Sequence, residues 1–579
     1  MATPAIIDGS NHFFVTTYEG NGGGQKVGKF VPFTNNGTIA KSLIFNDGDG
    51  AYIHRTPGSD GNRRTWTWSG WVKRAKFGQA YMFIYSDASA NSEVIQFDSS
   101  DRLVYYVLAG GGYQINYISN RTFEDTSKFY HIVVRKDTTQ STAANRVRIY
   151  VDGDQITDWN TATQPSQNDQ GFFNNSGKQH AIGNFANVGV SDEAVGYLAE
   201  VNFADGQSYG PDTFGITDTS TGRWIPKSLT GITYGTHGYR MQFANSAGQT
   251  LGDDTSGQGN DYTVVNVATT DLTTDSPTQN FVTFDPLRIY STAQTVSEGN
   301  LKLTGGSGTG YPKIGVNKEI PQTGKWYWEV LTTTSGGYQG IANPSYGVID
   351  LNIVDGVEVL SNANFQNTRG GMGAMQESGF KFTGLLDTSQ SISTIGSTSL
   401  ASGDYMLFAF DMDNGKAWWG FRDTSGSSTV WYASDGGTDG DPGAGTNPTV
   451  TFNPKDHRFL IVNEYFAPGS YPGVFEYNFG QKSYAFTAPT GYGKLSQENF
   501  PDEGVIPDLV WIKNKDATDS HQLYDSSRGI RIDLNSDGVG GDSTTADGLQ
   551  QFIQGGCSIE DDVSVNTTGE SYVAWNWVA

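Results

Sequence analysis

Asp533-Leu-Asn-Ser-Asp-Gly538 is the segment of this chain whose residue types come nearest to a metal loop. Its oxygen-bearing side chains alternate ahead of a glycine, which suits a hard cation that needs several oxygen ligands around a sharp turn. The twelfth position is Thr544, where a calcium loop needs a bidentate glutamate, and no flanking helices are predicted. The segment therefore reads as an Asx-rich turn, and no metal is expected. The histidines are scattered, without His-x-x-x-His or His/Cys ligand spacing. His131 lies inside a strand pattern and reads as structural, while His521 stands in a turn composition before Tyr524-Asp525.

Glycoside cleavage with retention needs two carboxylates flanking the scissile bond about 5 Å apart, as two residues on one strand face can supply. The nearest arrangement, Glu200-Val-Asn-Phe-Ala-Asp205, has an odd spacing and sends its carboxylates to opposite faces. Neither a Gly-x-Ser-x-Gly elbow nor a Gly-x-x-x-x-Gly-Lys-Ser/Thr phosphate loop occurs. No catalytic residue and no cofactor is expected. Binding is a different matter, because sugars are gripped by aromatic faces together with Asn and Asp side chains, and the chain is rich in both. The candidates are Tyr113, Tyr117 and Trp159 in a first strand-rich unit and Trp431, Tyr432, Tyr465 and Tyr471 in a second. The competing reading is that such aromatics are core or strand-surface residues.

The elements that must position these residues follow from composition. With 74 glycines, 13% aromatic and 17% charged residues, the chain is poor in helix formers and rich in residues that pack on pleated surfaces. An all-β fold is predicted. At 579 residues the chain exceeds what one core can hold, so several domains are expected. The net charge of -24 repels phosphate backbones, which excludes nucleic acid as a partner. The single cysteine permits no intrachain disulfide. No apolar stretch approaches the ~18 residues of a membrane span, so no membrane insertion is expected, and Met1–Asp8 lacks the pattern of a secretion signal.

Along the chain, residues 1–41 show a glycine run and little apolar periodicity, and read as an amino-terminal arm that docks on a larger particle through Tyr18, Phe30 and Phe33. From residue 42 short alternating runs separated by Gly, Asn and Asp begin, as in Trp66-Thr-Trp-Ser-Gly-Trp-Val72 and Arg146-Val-Arg-Ile-Tyr-Val-Asp-Gly153. Asp152-Gly153 is a tight hairpin turn in this reading, and the core lies on one face of each strand. The predicted organisation is a first antiparallel sandwich over 42–215, a turn-rich connector over 216–281, a second sandwich over 282–500 and a small β-module over 501–579. In the last strand Tyr572, Ala574 and Asn576 alternate against Val573, Trp575 and Trp577.

These residues carry resemblances. Ser69-Gly-Trp-Val-Lys-Arg74, Phe129-Tyr-His-Ile-Val-Val134, Val147–Gly153 and Gly196–Gly206 resemble the concanavalin-A-like, laminin-G-type jelly roll over roughly 45–215. Gly324-Lys-Trp-Tyr-Trp-Glu-Val330 and the Asn-Gly hairpin in Asp411-Met-Asp-Asn-Gly-Lys-Ala-Trp-Trp-Gly-Phe421 resemble the SPRY (B30.2) sandwich over about 282–495. Asp254–Tyr262, Asp275-Ser-Pro-Thr-Gln-Asn-Phe281 and the carboxyl-terminal module look like uncharacterised virion proteins of phages from marine bacteria. The resemblance implies a non-enzymatic virion component, a tail fibre or other receptor-binding appendage contacting host glycans. The alternatives are a head fibre or capsid decoration protein and, in another class, a glycan-active enzyme. It also implies other virion proteins as partners, assembly in the host cytoplasm, exposure on the particle surface and a homotrimer.

Overall fold

The computed structural model describes residues 13–29 and 38–577, apart from 47, 88–89, 184–195, 219–222, 244–247, 290–293, 306–312, 335–342, 351–370, 377–379, 385–393, 396–400, 424–428, 455–456, 467–472, 501–505 and 554. The described residues are almost wholly antiparallel β-structure, with one α-helical turn at Val563–Asn566.

The first sandwich packs two sheets face to face. One runs in the spatial order Asp154–Gln155, Val147–Val151, Tyr130–Asp137, Thr65–Arg74, Gly196–Asp205, Ser42–Phe45, Leu272–Thr273, with Tyr239–Met241 also paired to Gly196–Asp205. The other runs Trp159–Thr163, Gly112–Thr122, Arg102–Ala109, Ser92–Phe97, Ala80–Ser86, His180–Gly183, Tyr52–Arg55, Thr263–Val265. Between them Trp66 stacks on Phe203 at 5.6 Å and meets Tyr105 edge-on at 5.7 Å. Asp152 and Gly153 both have positive φ, 51° and 90°, so the predicted tight turn is present.

Two expectations need correction here. The segment 216–281 is more than a connector, since Tyr239–Met241, Thr263–Val265 and Leu272–Thr273 are strands of this sandwich and Tyr239, Met241 and Tyr262 lie in its core. Strands of two or three residues carry no readable alternation, which is why they were not predicted. Nor is the core confined to one face: Thr65–Arg74 and Gly196–Asp205 are buried almost throughout. Trp66 and Trp68 point inward, while Trp71 joins Phe129, Tyr197 and the half-buried Trp224 in a second apolar layer outside the same sheet.

That outer layer is locked by Lys73, which is fully buried. Its ammonium donates to Asp275 Oδ2 at 2.8 Å, to Asn280 Oδ1 at 2.9 Å and to the Phe281 carbonyl at 2.8 Å. All three acceptors lie in Asp275-Ser-Pro-Thr-Gln-Asn-Phe281, which gives that motif its physical role. Burial pushes the ammonium down and the carboxyl up, and each group is the other's main compensation.

The second sandwich also has two sheets. One is ordered Phe284–Ile289, Lys313–Val316, Phe459–Phe466, Asn343–Asp350, Gly371–Gln376, Phe380–Gly384, Thr394–Ile395. The facing sheet is ordered Gln294–Ser297, Lys302–Gly305, Val474–Asn478, Lys325–Thr334, Tyr405–Asp411, Lys416–Arg422, Val430–Trp431, with Val450–Thr451 also on Lys416–Arg422. Trp328, Phe408, Phe410 and Trp419 stack through its centre at 5.1–5.8 Å. The Asp411–Lys416 pair closes a four-residue loop instead of a two-residue Asn-Gly turn. Asp411 caps that loop by accepting from the Asn414 amide and side chain, and Gly415 sits at φ 62° where a Cβ would strike the Phe452 carbonyl.

Within residues 1–41, expected to form an arm, the described strands Phe13–Glu19 and Gln25–Gly28 belong instead to the terminal module. Phe13–Glu19 pairs along its whole length with Ser571–Trp577, and Gln25–Gly28 pairs with Gly556–Ile559. The module is a six-stranded sheet, in the order Phe13–Glu19, Ser571–Trp577, Leu509–Asn514, Gln522–Asp525, Ile532–Asn535, Ser543–Thr544, over a three-stranded one. Tyr18, expected to dock on a particle, packs within this module: its ring stacks on Tyr572 at 5.1 Å and its hydroxyl donates to the Val565 carbonyl at 2.6 Å. Phe30 and Phe33 lie outside the described residues. The glycine run hid these strands, because each is short and its partner lies more than 500 positions away. The final strand alternates as predicted, with Tyr572, Ala574 and Asn576 inward.

Candidate functional site

The aromatic candidates of the first sandwich do not converge on one site. Tyr113 is 55% exposed and meets Tyr106 edge-on at 5.6 Å. Tyr117 is a core residue, only 4% exposed, because the alternation of Gly112–Thr122 turns Ile115 and Tyr117 inward together. Trp159 is half-buried and packs edge-on to Tyr117 at 5.0 Å. In the second sandwich Tyr432 is also core, at 5% exposure. The Tyr465 side chain and Tyr471 lie outside the described residues. Trp431 is the candidate that lines a cleft.

That cleft is built on the outward face of the sheet. Along Lys325–Thr334, Trp326, Trp328 and Val330 face the core, so Tyr327 and Glu329 face out. The ladder continues Glu329–Leu407–Gly420–Trp431 across adjacent strands. Gly420 matters here: a Cβ at that position would lie 2.8 Å from the Trp431 ring, so glycine lets the indole settle against the sheet. Residues 484–492 return across this face as a strap, with Tyr484, Phe486, Ala488 and Tyr492 packed on Tyr327 and its neighbours.

Glu329 holds the strap. Its carboxylate accepts from the amides of Ala485 at 2.8 Å and Phe486 at 3.0 Å and from the Tyr327 hydroxyl at 2.8 Å. Burial raises its carboxyl above the ordinary glutamate value, and these donors only partly offset the rise. Tyr484 adds a bond from its hydroxyl to the Tyr327 carbonyl at 2.8 Å.

Between the strap and Trp431 remains a cleft of about 270 Å³. Tyr327 and Leu407 form its floor, Trp431 and Thr429 one wall, Phe486 and Thr487 the other, and the Asp441–Gly443 turn one end. The turn is rigid: Asp441 and Thr446 exchange backbone hydrogen bonds at 3.0 Å, and one Asp441 carboxylate oxygen accepts from the Ala444 amide at 2.9 Å. The Asp441 residue is exposed.

The groups with catalytic or metal-binding potential are committed elsewhere. Glu200 pairs with Arg240 and Asp205 accepts from Asn62, Asn174 and His237, so the two carboxylates serve separate structural contacts. Asp533 accepts from the hydroxyls of Ser543 and Thr545, whereas Asp537 accepts from the His521 amide. Among the described residues, no group of three or more His, Cys, Asp and Glu side chains is placed to hold a metal ion.

His131 is fully buried against Trp71 and Trp224. The Trp224 indole N–H donates to its Nδ1 at 2.9 Å, which fixes the tautomer, so Nε2–H donates to Ser69 Oγ at 2.9 Å. Burial pushes its pKa down to about 3, so it is neutral at physiological pH.

Two stretches of the chain match family models. Residues 46–207 match the family model described as the concanavalin A-like lectin/glucanases superfamily. Residues 482–579 match a domain of unknown function (DUF7483), a span that takes in the strap as well as much of the terminal module. No curated protein matches the chain. Among solved structures, the SPRY domain of human HERC1 is 17% identical over 34% of this chain and 99% of that one, with a TM-score of 0.22. Domains LG4-5 of the mouse laminin alpha1 chain are 8% identical over 91% of this chain and 99% of that one, with a TM-score of 0.22. The enzymatically active domain of tailspike protein 2 from bacteriophage CBA120 is 11% identical over 28% of this chain and 25% of that one, with a TM-score of 0.20. The fold and the first family match define a protein of tandem antiparallel β-sandwiches whose first sandwich is similar to the concanavalin A-like lectin/glucanases superfamily.

Proposed function

We propose that this chain is a non-enzymatic, glycan-binding component of a bacteriophage virion, a tail fibre or other receptor-binding appendage. The observation that carries the glycan-binding part is the match to the concanavalin A-like lectin/glucanases superfamily over 46–207. The aromatic-walled cleft on the second sandwich supports it, because small-ligand sites are concave and mostly apolar with a few placed polar groups. The virion part rests on the sequence resemblance of the motifs around 254–281 and of the terminal module. Its partners in this reading are other virion proteins and a host surface glycan, and it is displayed as a homotrimer on a particle assembled in the host cytoplasm. Glu200 and Asp205, each tied to its own structural partners, fit binding better than hydrolysis.

The test is a glycan array probed with the full chain, paired with a reducing-end assay on every glycan that binds and with mass spectrometry of purified particles. The proposal expects binding without release of reducing ends and a low copy number per particle. Reducing ends released from a bound glycan would make the chain an enzyme. A copy number near that of the capsid subunits would make it a decoration protein.

A further inference from the structure

We propose that the cleft between Trp431 and Phe486 binds one uncharged pyranose ring of a glycan, and that Asp441 makes it discriminate against anionic sugars. This rests on the glycan-binding reading above and names the place and the class of sugar.

Size sets the first limit. Clefts that bury drug-sized ligands run from about 300 to 1,000 Å³. At about 270 Å³ this one falls just below, with room for a single sugar ring. The shape of its chemistry sets the second. A pyranose presents flat faces of C–H groups and a rim of hydroxyls, so it needs an apolar wall beside acceptors and donors at the edge. Trp431 and Phe486 supply half-buried walls over a buried floor. Thr429, Thr487 and the exposed carboxylate of Asp441 supply the edge.

Charge sets the third limit. Among the described residues, Asp441 is the only carboxylate or cationic side chain lining the cleft. The nearby Arg422 guanidinium lies on the Phe486 ring, 4.4 Å from its centre, and does not line the cleft. A uronate, sulfate or phosphate brought beside Asp441 meets a like charge with no lining cation to offset it, in a chain of net charge -24. A neutral ring meets instead a charged acceptor for its hydroxyls, the stronger kind of hydrogen bond.

The experiment titrates the full chain, by calorimetry at low salt, with methyl glucoside, methyl galactoside and methyl N-acetylglucosaminide, and with the methyl glycosides of glucuronic and galacturonic acid. At least one neutral glycoside should bind, with its uronate counterpart weaker by about ten-fold or more. Trp431→Ala should weaken binding by about ten-fold or more. Asp441→Asn keeps the oxygen that accepts from Ala444 and so keeps the turn; it should weaken the neutral sugar and narrow the gap to the uronate. Uronates binding as well as neutral sugars, or a gap unchanged in Asp441→Asn, would overturn the inference. If array glycans bind the full chain and both variants equally, the cleft is the wrong place while the glycan-binding reading stands. If the array shows no glycan bound at all, both fall.

Discussion

On the first sandwich the outer face of the central sheet is sealed by Lys73, whose buried ammonium gathers Asp275, Asn280 and the Phe281 carbonyl onto it. On the second sandwich the equivalent face is crossed by a strap that Glu329 holds through two backbone amides and a phenol, and a cleft stays open beside it. Both solutions cover a sheet with a segment from downstream in the chain, and both are anchored by a buried charged side chain of the sheet. They differ in what completes that group. A cation with three acceptors and a countercharge draws its covering segment fully inward. A carboxylate satisfied mainly by amides of the strap fixes the strap's path while leaving Trp431 half-buried at its side. The sealed face reads as structural and the open one as the place for a ligand.

The largest perturbation falls on the terminal module. Deleting residues 1–28 removes the strands Phe13–Glu19 and Gln25–Gly28, with Val27 and Tyr18, from the terminal module. A module of this size has only about 5–15 kcal/mol to lose, so its unfolding transition should disappear while both sandwich transitions remain. Calorimetry that recovers every transition unchanged would return these residues to the status of an arm.

Lys73→Met sharpens the contrast directly. It leaves Asp275 buried without its partner and should cost the first sandwich about 3–5 kcal/mol, with a smaller effect on the second sandwich, whose Gln497 amide donates to the Asn280 carbonyl of the same segment. Denaturant titration followed separately for each sandwich checks it, and a loss below about 1 kcal/mol would mean that apolar packing alone seals the face.

Glu329→Gln should cost the second sandwich less, about 1–2 kcal/mol, because an amide keeps one acceptor. Its pH dependence has a definite sign. Burial raises the folded-state pKa of Glu329 above its unfolded value, so its contribution is full below the unfolded pKa and is lost as pH rises through the folded one. The stability gap between wild type and Glu329→Gln should therefore narrow from acid toward neutral pH. Asp411, in the same sheet, runs the other way. Burial alone would raise its carboxyl, but hydrogen bonds from Asn414 and Lys325 outweigh that and hold it below the usual aspartate value. The gap for Asp411→Asn should be present above the unfolded pKa and close as pH falls through the folded one. Gaps that move together would break the distinction between the two carboxylates.

Much of the sandwich layout was legible in the sequence, and the reason is local. Trp66–Val72, Val147–Gly153 and Lys325–Val330 alternate over enough residues to declare a strand, and Asp152-Gly153 declares its turn. The terminal strand showed both faces through Tyr572 and Trp575. What stayed hidden was long-range. Phe13–Glu19 is recognisable as a strand chiefly through Ser571–Trp577, and Tyr239–Met241 through Gly196–Asp205. Of the cleft, only Trp431 was nominated; Tyr327, Asp441 and Phe486 come from distant stretches that meet because Glu329 pins the strap. The available signals were a glutamate in the middle of an aromatic strand and a glycine, Gly420, beside two tryptophans.

The smallest effect expected is none. Asp533 is already satisfied by Ser543 and Thr545, so chelator should leave all unfolding midpoints in place. A calcium site at hundredfold excess over its dissociation constant would instead add about 2.7 kcal/mol to the terminal module. Such a shift would shrink the contrast to a detail of a metal-organised protein.

The most direct measurement of the open second face against the sealed first one uses the indole N–H signals of the 13 tryptophans. With signals assigned by single Trp→Phe variants, a glycan that binds the full chain is titrated and the spectrum followed. The account predicts that the Trp431 signal moves while those of Trp66, Trp71 and Trp224 stay in place. Movement confined to the first sandwich, with Trp431 unmoved at saturation, would contradict it.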